Sequence, residues 1–351
     1  MSNEECRRAI FDAEPHAASG PDGIPPVVLQ ALWPAIEDVV CDIYRACLRL
    51  GYHPVAWKEA LALALRKMNK PDYALPNAYR PIALLNCLAK GLEKIVASRL
   101  SYLATAAGLL LPEHFGGRPG RSCEDALHLL VDEIKAHWRQ GDYVVVVLLD
   151  VKGAYPNTTS LKLQSNLLRR GVPRELVNFV ASFMEDRTCR IILEGVTSEL
   201  MPSDCGLPQG SPLSPILYLF YNADLLAALR TPFSSSTGWV DDTSVLVHGK
   251  TPELAVARAN LLMGRVERWS RAHDSEMDAA KSHVLLLPRP SVRSRTPPPP
   301  PVFLNSIPIP VSDHAVLLGV TLDSTLSFHQ HVSAAVAKAS KAIGGIARLV
   351  T

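Results

Sequence analysis

Residues 143–150 read YVVVVLLD, a run of β-branched and aliphatic side chains that ends in Asp150. Such runs are typical of strands buried on both faces. A second acidic segment, residues 238–243, reads GWVDDT and is followed by the apolar residues 245–247. This pattern predicts a tight hairpin with Asp241 and Asp242 at its tip.

Carboxylates at the ends of buried strands are costly unless they bind cations or hydrogen-bond donors. Mg²⁺ and similar hard cations prefer oxygen ligands and are often held by one or two carboxylates together with substrate phosphates. One acid after a strand and a pair in a neighbouring hairpin therefore suit a two-ion site. An Asp-Asp pair is also common in solvated turns, so these acids alone leave both interpretations open.

Working outward, the hydrophobic pattern predicts further helices and strands. Helices are predicted over residues 27–50, 88–107, 124–137, 160–169, 174–185, 212–229, 252–273 and 328–350. Strands are predicted over residues 59–66, 79–85, 190–193, 198–201 and 282–287, with two more inside 302–323. The first two strands form a long hairpin around the polar loop 68–77. The Pro- and Arg-rich segment 288–301 is predicted to be an exposed loop.

The composition bounds the class of protein without choosing a function. The chain has 351 residues and 48% hydrophobic content, enough for a large buried core. Its formal net charge is +2, from 36 Lys and Arg against 34 Asp and Glu. This balance neither requires nor excludes nucleic-acid binding, because acidic metal ligands and basic phosphate contacts cancel in the sum.

Cysteine usage and the lengths of the apolar runs predict an intracellular protein. The 7 cysteines are scattered without a CxxC pair, which argues against a disulfide scaffold and a zinc ribbon. Residues 1–14 lack the apolar core of a signal peptide. The longest aliphatic run, residues 144–149, is too short to span a bilayer. We therefore expect no membrane partner.

Several segments, in order, resemble the motifs of the reverse transcriptases of non-LTR retrotransposons, particularly the group common in fungal genomes. The most specific is GLPQGSPLSP at residues 206–215, which resembles motif B. The others are DGI at 22–24, YRPIALLN at 79–86, FGGRPGRS at 115–122, LDVKGAY at 149–155 (motif A), GWVDDT at 238–243 (motif C), 278–281 (motif D) and 318–320 (motif E).

The resemblance implies an α+β fold, a right-hand polymerase with fingers, palm and a truncated helical thumb. It places the fingers at residues 1–142, the palm at 143–325 and the start of the thumb at 326–351. The implied activity is that of an RNA-directed DNA polymerase. Its partners would be an RNA template, a DNA or RNA primer and dNTPs, in the nucleus or cytoplasm. Endonuclease and ribonuclease H functions would have to come from elsewhere.

The resemblance also assigns metal ligands. Asp150 and Asp241 would be the main ligands, with Asp242 in support, and the main-chain carbonyl of Val151 would complete one coordination sphere. The expected cofactor is a pair of Mg²⁺ ions, with Mn²⁺ as the alternative. Lys281, at the motif D lysine position, would protonate the leaving pyrophosphate, or would be a surface lysine before a strand.

Other positions would bind the nucleotide. Tyr155 stands at the steric-gate position, where a ring crowds a ribose 2′-OH, although a packed core aromatic is the alternative. Gln209 and Gly210 would approach the nucleotide or template, or would only form a helix-entry turn. Arg80, together with Arg66 or Lys67, would hold the triphosphate.

Two further arginines lie in the Gly-rich loop after residue 115. By the resemblance, Arg118 and Arg121 would contact the template backbone, a contact that supplies affinity without sequence preference.

The sequence also departs from the family pattern. Trp239 stands where motif C usually has Phe or Tyr, and Pro156 follows Tyr155 where the family usually has Asp or Asn. The remaining departures are Met68, Asn69, His114 and Met277. Together these changes suggest drift in a decaying element. A catalytically inactive remnant that only binds RNA or protein, an RNA-templated RNA polymerase and an intron maturase are therefore rival interpretations.

Overall fold

The computed structural model describes residues 1–68, 70–203, 206–289 and 299–347. Its helices are α1 (Asn3–Phe11), α2 (Pro26–Leu50), α3 (Cys87–Ala106), α4 (Cys123–Arg139), α5 (Ser160–Arg169), α6 (Arg174–Met184), α7 (Ser214–Leu229), α8 (Pro252–Ala272) and α9 (His329–Ala347). Its strands are β1 (Glu59–Arg66), β2 (Tyr79–Leu84), β3 (Tyr143–Leu149), β4 (Val151–Lys152), β5 (Thr188–Leu193), β6 (Val196–Thr197), β7 (Met201–Pro202), β8 (Ser234–Trp239), β9 (Asp242–Gly249), β10 (Glu276–Met277), β11 (His283–Leu287), β12 (Phe303–Leu304), β13 (Ile307–Pro308), β14 (Val311–Ser312), β15 (His314–Leu317) and β16 (Val320–Asp323).

The chain divides into two compact units that interleave in sequence. Unit 1 comprises residues 1–111, 117–119 and 153–223, and unit 2 comprises residues 112–116, 120–152 and 224–351. Neither unit is one continuous stretch. The expected division into fingers, palm and thumb stays a prediction.

Unit 1 combines a helical cluster with a small sheet. The sheet has the order β2-β1-β5-β6, with β7 paired to β5. Strand β1 alternates alanine with larger residues, so its two faces differ, and it is antiparallel to β2 and parallel to β5. Helix α1 packs on α2 and α3, and the Ser2 side chain caps it by accepting a hydrogen bond from the Glu5 N–H.

Unit 2 is built on a five-stranded sheet of order β14-β11-β3-β9-β8. The central strand β3 is buried along almost its whole length because both α4 and α8 pack against it. Leu130 and Ile134 of α4 join Val144, Val146 and Leu148 in one core cluster. This burial explains why the sequence of β3 is a continuous apolar run rather than an alternating one.

Most of the predicted elements are confirmed, and the differences are local. The strand at 59–66 and the eight helices have the expected positions within a few residues. Helix α1 was missed, and the stretch 302–323 forms five short strands, β12 to β16, instead of two. Residues 290–298 of the predicted exposed loop, and the end of the last helix after residue 347, lie outside the described residues.

None of the described helices combines the length and the apolar content needed to cross a membrane.

Candidate active site

Two carboxylates stand beside each other at the ends of the central strands of unit 2. Strands β3 and β9 are antiparallel, and their last pair is Leu149 opposite Thr243. One step further along each strand brings Asp150 next to Asp242. Both acids line a cavity of about 410 Å³, together with Thr243 and Lys281. The predicted meeting of the two acidic segments at one end of the sheet is thus observed.

Asp241 lies in the turn between β8 and β9. Trp239 pairs with Asp242, so Val240 and Asp241 form a two-residue hairpin turn, and Val240 has a positive φ of 55°. The neighbouring loop supports this hairpin, because the Phe115 N–H donates to the Gly238 carbonyl at 2.8 Å. Asp241 is exposed and is not among the residues that line the cavity holding Asp150 and Asp242.

The segment after β10 holds Asp150 in place. The Asp278 N–H donates to the Asp150 carbonyl at 2.9 Å, and the Asp150 N–H donates to Ser282 Oγ at 3.2 Å. Ser282 Oγ in turn donates to the Asp278 carbonyl at 2.8 Å. Lys281 Nζ lies 2.7 Å from Asp278 Oδ2 and 3.5 Å from Asp150 Oδ2. The sequence analysis placed Asp278 in the motif D segment without giving it a role, and it missed Ser282.

Val151 lies at the start of β4, directly after Asp150. It pairs with Met277 of β10 in a short antiparallel ladder. The ladder connects the segment after β3 to the segment that carries Asp278 and Lys281.

The charges of this cluster favour a bound cation. Asp242 is exposed, but partial desolvation of its carboxylate, followed by the charges of Asp241 and Asp150, raises its pKa to about 6. The hydrogen bond to Asp278, followed by the charge of Asp150, raises the pKa of Lys281 although burial opposes this shift. A divalent cation would relieve the repulsion among the carboxylates, and all the side-chain donors are oxygens, which fit Mg²⁺.

One further group of candidate metal ligands lies near the opposite ends of β3 and β9. Nδ1 of His137 and Nδ1 of His248 each lie 3.1 Å from Asp142 Oδ2, and the two rings stack with centroids 3.8 Å apart. We assign this group as a hydrogen-bonded cluster, because both imidazole nitrogens contact the same carboxylate oxygen and Lys250 Nζ lies 2.6 Å from the other one, Asp142 Oδ1.

Tyr155 and the loop of residues 207–211 belong to unit 1, and both line a cavity of about 440 Å³. The half-buried Tyr155 ring packs edge-on against Tyr218, with centroids 5.6 Å apart. The Tyr155 carbonyl accepts a hydrogen bond from the Leu207 N–H at 2.8 Å. Gly210 also lines this cavity, so the structure brings two predicted nucleotide-binding residues together there, while Gln209 precedes Gly210 in the loop and is not among the lining residues.

Glycine is required at two positions of this segment. Gly206 has φ of +85°, and a Cβ there would meet the Pro156 backbone at 2.5 Å. Gly210 has φ of +143°, and a Cβ there would overlap the Ala83 carbonyl oxygen. The glycines of GLPQG therefore serve both backbone conformation and close backbone approach.

The three predicted phosphate-binding residues do not all lie on the same face of the β1–β2 hairpin. Leu65 pairs with Arg80 and Arg66 pairs with Tyr79, so Arg66 and Arg80 lie on opposite faces. The Lys67 N–H continues the ladder by donating to the Ala78 carbonyl at 2.8 Å, which places Lys67 on the face of Arg80. The Arg66 guanidinium is bonded to the Glu194 carboxylate.

The two arginines of the Gly-rich loop have different environments. Arg118 is 8% exposed, and its guanidinium donates to the Leu111 carbonyl at 3.0 Å and to Thr105 Oγ1 at 3.2 Å. The expected template contact at Arg118 therefore has no support, because a phosphate could reach this group only after a rearrangement. Arg121 is half-buried, and its guanidinium lies over the Phe115 ring. Its template contact stays a prediction.

Comparison with known proteins decides the family. Residues 67–322 match the family described as reverse transcriptase (RNA-dependent DNA polymerase). The chain belongs to the reverse transcriptase family. The matched region contains the acidic segments and the loop 207–211.

Relatives of this chain include proteins of non-LTR retrotransposons. It is 28% identical over 332 residues to the probable RNA-directed DNA polymerase from transposon X-element of Drosophila melanogaster, covering 94% of this chain and 36% of that protein. It is 29% identical over 335 residues to the putative 115 kDa protein of the type-1 retrotransposable element R1DM of Drosophila melanogaster, covering 94% and 31%. The chain thus spans about a third of these relatives. The expected fungal-type subgroup stays a prediction.

A solved structure supports the fold class. Apo telomerase from Candida tropicalis, truncated from its C-terminal domain, superposes with a TM-score of 0.53 at 10% identity, over 85% of this chain and 60% of that one. The expected α+β right-hand polymerase fold is confirmed.

Three of the departures from the family pattern lie in buried or half-buried positions, whereas Met68 and Pro156 are exposed. His114 is fully buried and bridges to Gly238, and Met277 is 3% exposed and pairs with Val151. Trp239 is half-buried and pairs across the hairpin with Asp242. Asn69 lies outside the described residues. None of these changes removes a carboxylate.

Proposed function

We propose that this chain is the polymerase core of a non-LTR retrotransposon reverse transcriptase, which adds dNTPs to a primer 3′-OH as directed by an RNA template. The observation that carries the proposal is the pairing of Asp150 and Asp242 at adjacent strand ends, with Lys281 in the same cavity. Membership of the reverse transcriptase family gives this arrangement its chemical context.

In this proposal the acidic cluster is the metal site. Asp150, Asp241, Asp242 and the Val151 carbonyl would hold two divalent ions, Mg²⁺ or Mn²⁺. Bound ions supply charge stabilisation for the attacking 3′-oxygen and the leaving pyrophosphate. The chain contributes orientation, because Asp150 is fixed through both its N–H and its carbonyl group.

Lys281 would be the proton donor to the leaving pyrophosphate. Its ammonium group is already directed at Asp150 and Asp278, so it lies beside the site where that charge develops. The hydrogen bond to Asp278, followed by the charge of Asp150, raises its pKa, so the ammonium group carries the proton that would be transferred.

Further residues would contact the nucleotide or the template. Tyr155 would act as the steric gate against a ribose 2′-OH, and Gln209 and Gly210 would touch the nucleotide or template. Arg80 and Lys67 would hold the triphosphate, because they share one face of the β1–β2 hairpin. Arg121 would contact the template backbone.

In this proposal the fingers are residues 1–142, the palm is residues 143–325 and the start of the thumb is residues 326–351. The partners would be an RNA template, a DNA or RNA primer and dNTPs. Because the chain spans 36% of the X-element relative, endonuclease and ribonuclease H functions of a complete element would be supplied by other segments or other proteins.

The decisive experiment is primer extension on an RNA template with Mg²⁺ and dNTPs. We expect extension that stops when EDTA is added and that prefers dNTPs to rNTPs. An absence of extension with every divalent metal tested would favour the inactive remnant. Binding of RNA by such an inactive chain would then support that interpretation. Efficient extension with rNTPs would favour the RNA-templated RNA polymerase.

The face assignment of the hairpin predicts unequal effects of two substitutions. We expect Lys67→Ala to raise the KM for dNTP by about tenfold, since loss of one charge-assisted phosphate contact costs ~1.5 kcal/mol or more. Arg66→Ala is the matched control, and we expect it to change KM less than about twofold. Steady-state kinetics at fixed primer–template measures both. A larger effect of Arg66→Ala than of Lys67→Ala would contradict the assignment.

A further inference from the structure

A fully buried carboxylate in unit 1 has no role in the site described so far. Glu93 lies on α3 with 0% exposure. Ser211 Oγ donates to Glu93 Oε2 at 2.6 Å, a short distance typical of a charge-assisted bond. His53 Nε2 approaches the other oxygen, Oε1, at 3.4 Å.

The surroundings of Glu93 favour its ionised form. His53 is 0% exposed and is enclosed by the rings of Trp57, Phe179 and Phe183. Burial alone would raise the pKa of Glu93, but the nearby His53, the charge of Arg187 and the Ser211 bond together lower it. An ionised carboxylate in such a place is costly unless its partners stay in position.

Ser211 connects this carboxylate to the loop that carries Gln209 and Gly210. The Ser211 hydroxyl oxygen also accepts a hydrogen bond from the Leu213 N–H at 3.0 Å, so the start of the following segment depends on its position. Ser211 is 5% exposed. The Ser211 hydroxyl therefore makes one hydrogen bond to the buried Glu93 carboxylate and one to a backbone N–H of its own segment.

The other side of the loop is attached to the free edge of β2. The Ala83 N–H donates to the Gln209 carbonyl at 2.7 Å, and the Gly210 backbone lies against the Ala83 carbonyl. Strand β2 also carries Arg80, three residues before Ala83. The loop is thus held between a strand edge and one buried ion, and Ser211 is the connection to that ion.

We propose that Glu93 is a positioning residue, which acts through Ser211 to hold residues 209 and 210 against β2 in the place where they meet the incoming nucleotide. The inference rests on the proposed polymerase function and deepens it. His53 lies beside Glu93 Oε1, and Glu93 itself touches no substrate. Its effect should therefore appear in nucleotide binding and not in primer–template binding.

The test uses the full chain, three single variants and one double variant in RNA-templated extension. We expect Ser211→Ala to raise the KM for dNTP about tenfold, the loss that ~1.4 kcal/mol of a charge-assisted bond produces. Glu93→Gln keeps the shape and an acceptor, so we expect a smaller increase, of about threefold. We expect kcat and the primer–template Kd to change less than about twofold in both. Ile95→Val, a buried change on the same helix, is the matched control for a loss of stability alone.

The double variant separates positioning from a general loss of stability. If Glu93 acts through Ser211, Glu93→Gln adds less than about twofold to KM in the Ser211→Ala background, because the connection is already cut. Independent effects that multiply would overturn the inference. An equal KM for dNTP in Ser211→Ala and in the Ile95→Val control would also overturn it, provided that the wild-type chain extends primers. Absence of extension by the wild-type chain itself would instead overturn the proposed function, and the inference with it.

Discussion

Asp150→Asn and Asp242→Asn each reduce RNA-templated primer extension by at least ~1,000-fold, because metal ligation supplies several kcal/mol of charge stabilisation. Each substitution keeps the size of the side chain and removes one carboxylate from the cavity they share. Single-nucleotide incorporation at saturating Mg²⁺ measures the loss. Asp132→Asn, an exposed change on α4 of the same unit, is the control and should leave the rate unchanged.

The same assay orders the three acids. The family pattern makes Asp241 a main ligand, whereas the structure places Asp242 beside Asp150 in the cavity and Asp241 in the turn. If both acids of the pair bind metal, Asp241→Asn is as damaging as Asp150→Asn. Substantial extension by either Asp150→Asn or Asp242→Asn would remove the proposed metal site.

The substitution at Asp242 has a second expected result, on stability. The folded pKa of Asp242 is about 6 against an ordinary value of 3.8, so the folded chain holds this proton more tightly than the unfolded chain. The ionised carboxylate therefore lowers stability above pH 6, and this penalty disappears as the pH falls towards 3.8.

Thermal unfolding in EDTA measures this effect. At pH 8 we expect Asp242→Asn to raise Tm by about 1–3 °C. The rise is small because solvent screens the charge of this exposed side chain. The gain should shrink at pH 5, and Mg²⁺ should stabilise the wild-type chain more than the variant. A lower Tm of the variant in EDTA at pH 8 would show that repulsion is absent from this cluster.

Gly210→Ala is the second change with a large expected effect. A Cβ at this position overlaps the Ala83 carbonyl oxygen, and φ of +143° is strained for any L side chain. The loop must therefore leave the β2 edge and break the bond between the Ala83 N–H and the Gln209 carbonyl. We expect at least a ~100-fold loss of kcat/KM for dNTP, since two or more kcal/mol of positioning is lost.

A second glycine separates the clash from the backbone strain. Gly195 in the β5–β6 turn also has a positive φ, of +83°, but its Cβ would meet nothing within 4 Å. Gly195→Ala should lower Tm slightly and leave kcat/KM unchanged. Equal kinetic losses in the two variants would show that strain, and not the contact with Ala83, explains the effect.

Local patterns in the sequence were sufficient for most of the secondary structure and for the acidic ends of the central strands. The continuous apolar run of β3 and the alternation of β1 report burial directly, because side-chain direction follows the backbone period. Helix α1 was missed although Ser2, with Cys6, Ala9 and Ile10 spaced along one helical face, carried a usable signal. The five short strands of residues 303–323 have too few residues each for a period to appear.

The sequence by itself determined the family, the fold class and the two acidic segments, since these depend on contiguous motifs and local periodicity. Only the tertiary structure decided which residues surround them. It attached Asp278 and Ser282 to Asp150, buried Arg118, placed Lys67 on the face of Arg80, and joined Ser211 to Glu93, which is 118 positions away in the chain. Such contacts depend on strand register and on the packing of distant segments, and no local pattern encodes the distance between two side chains that far apart.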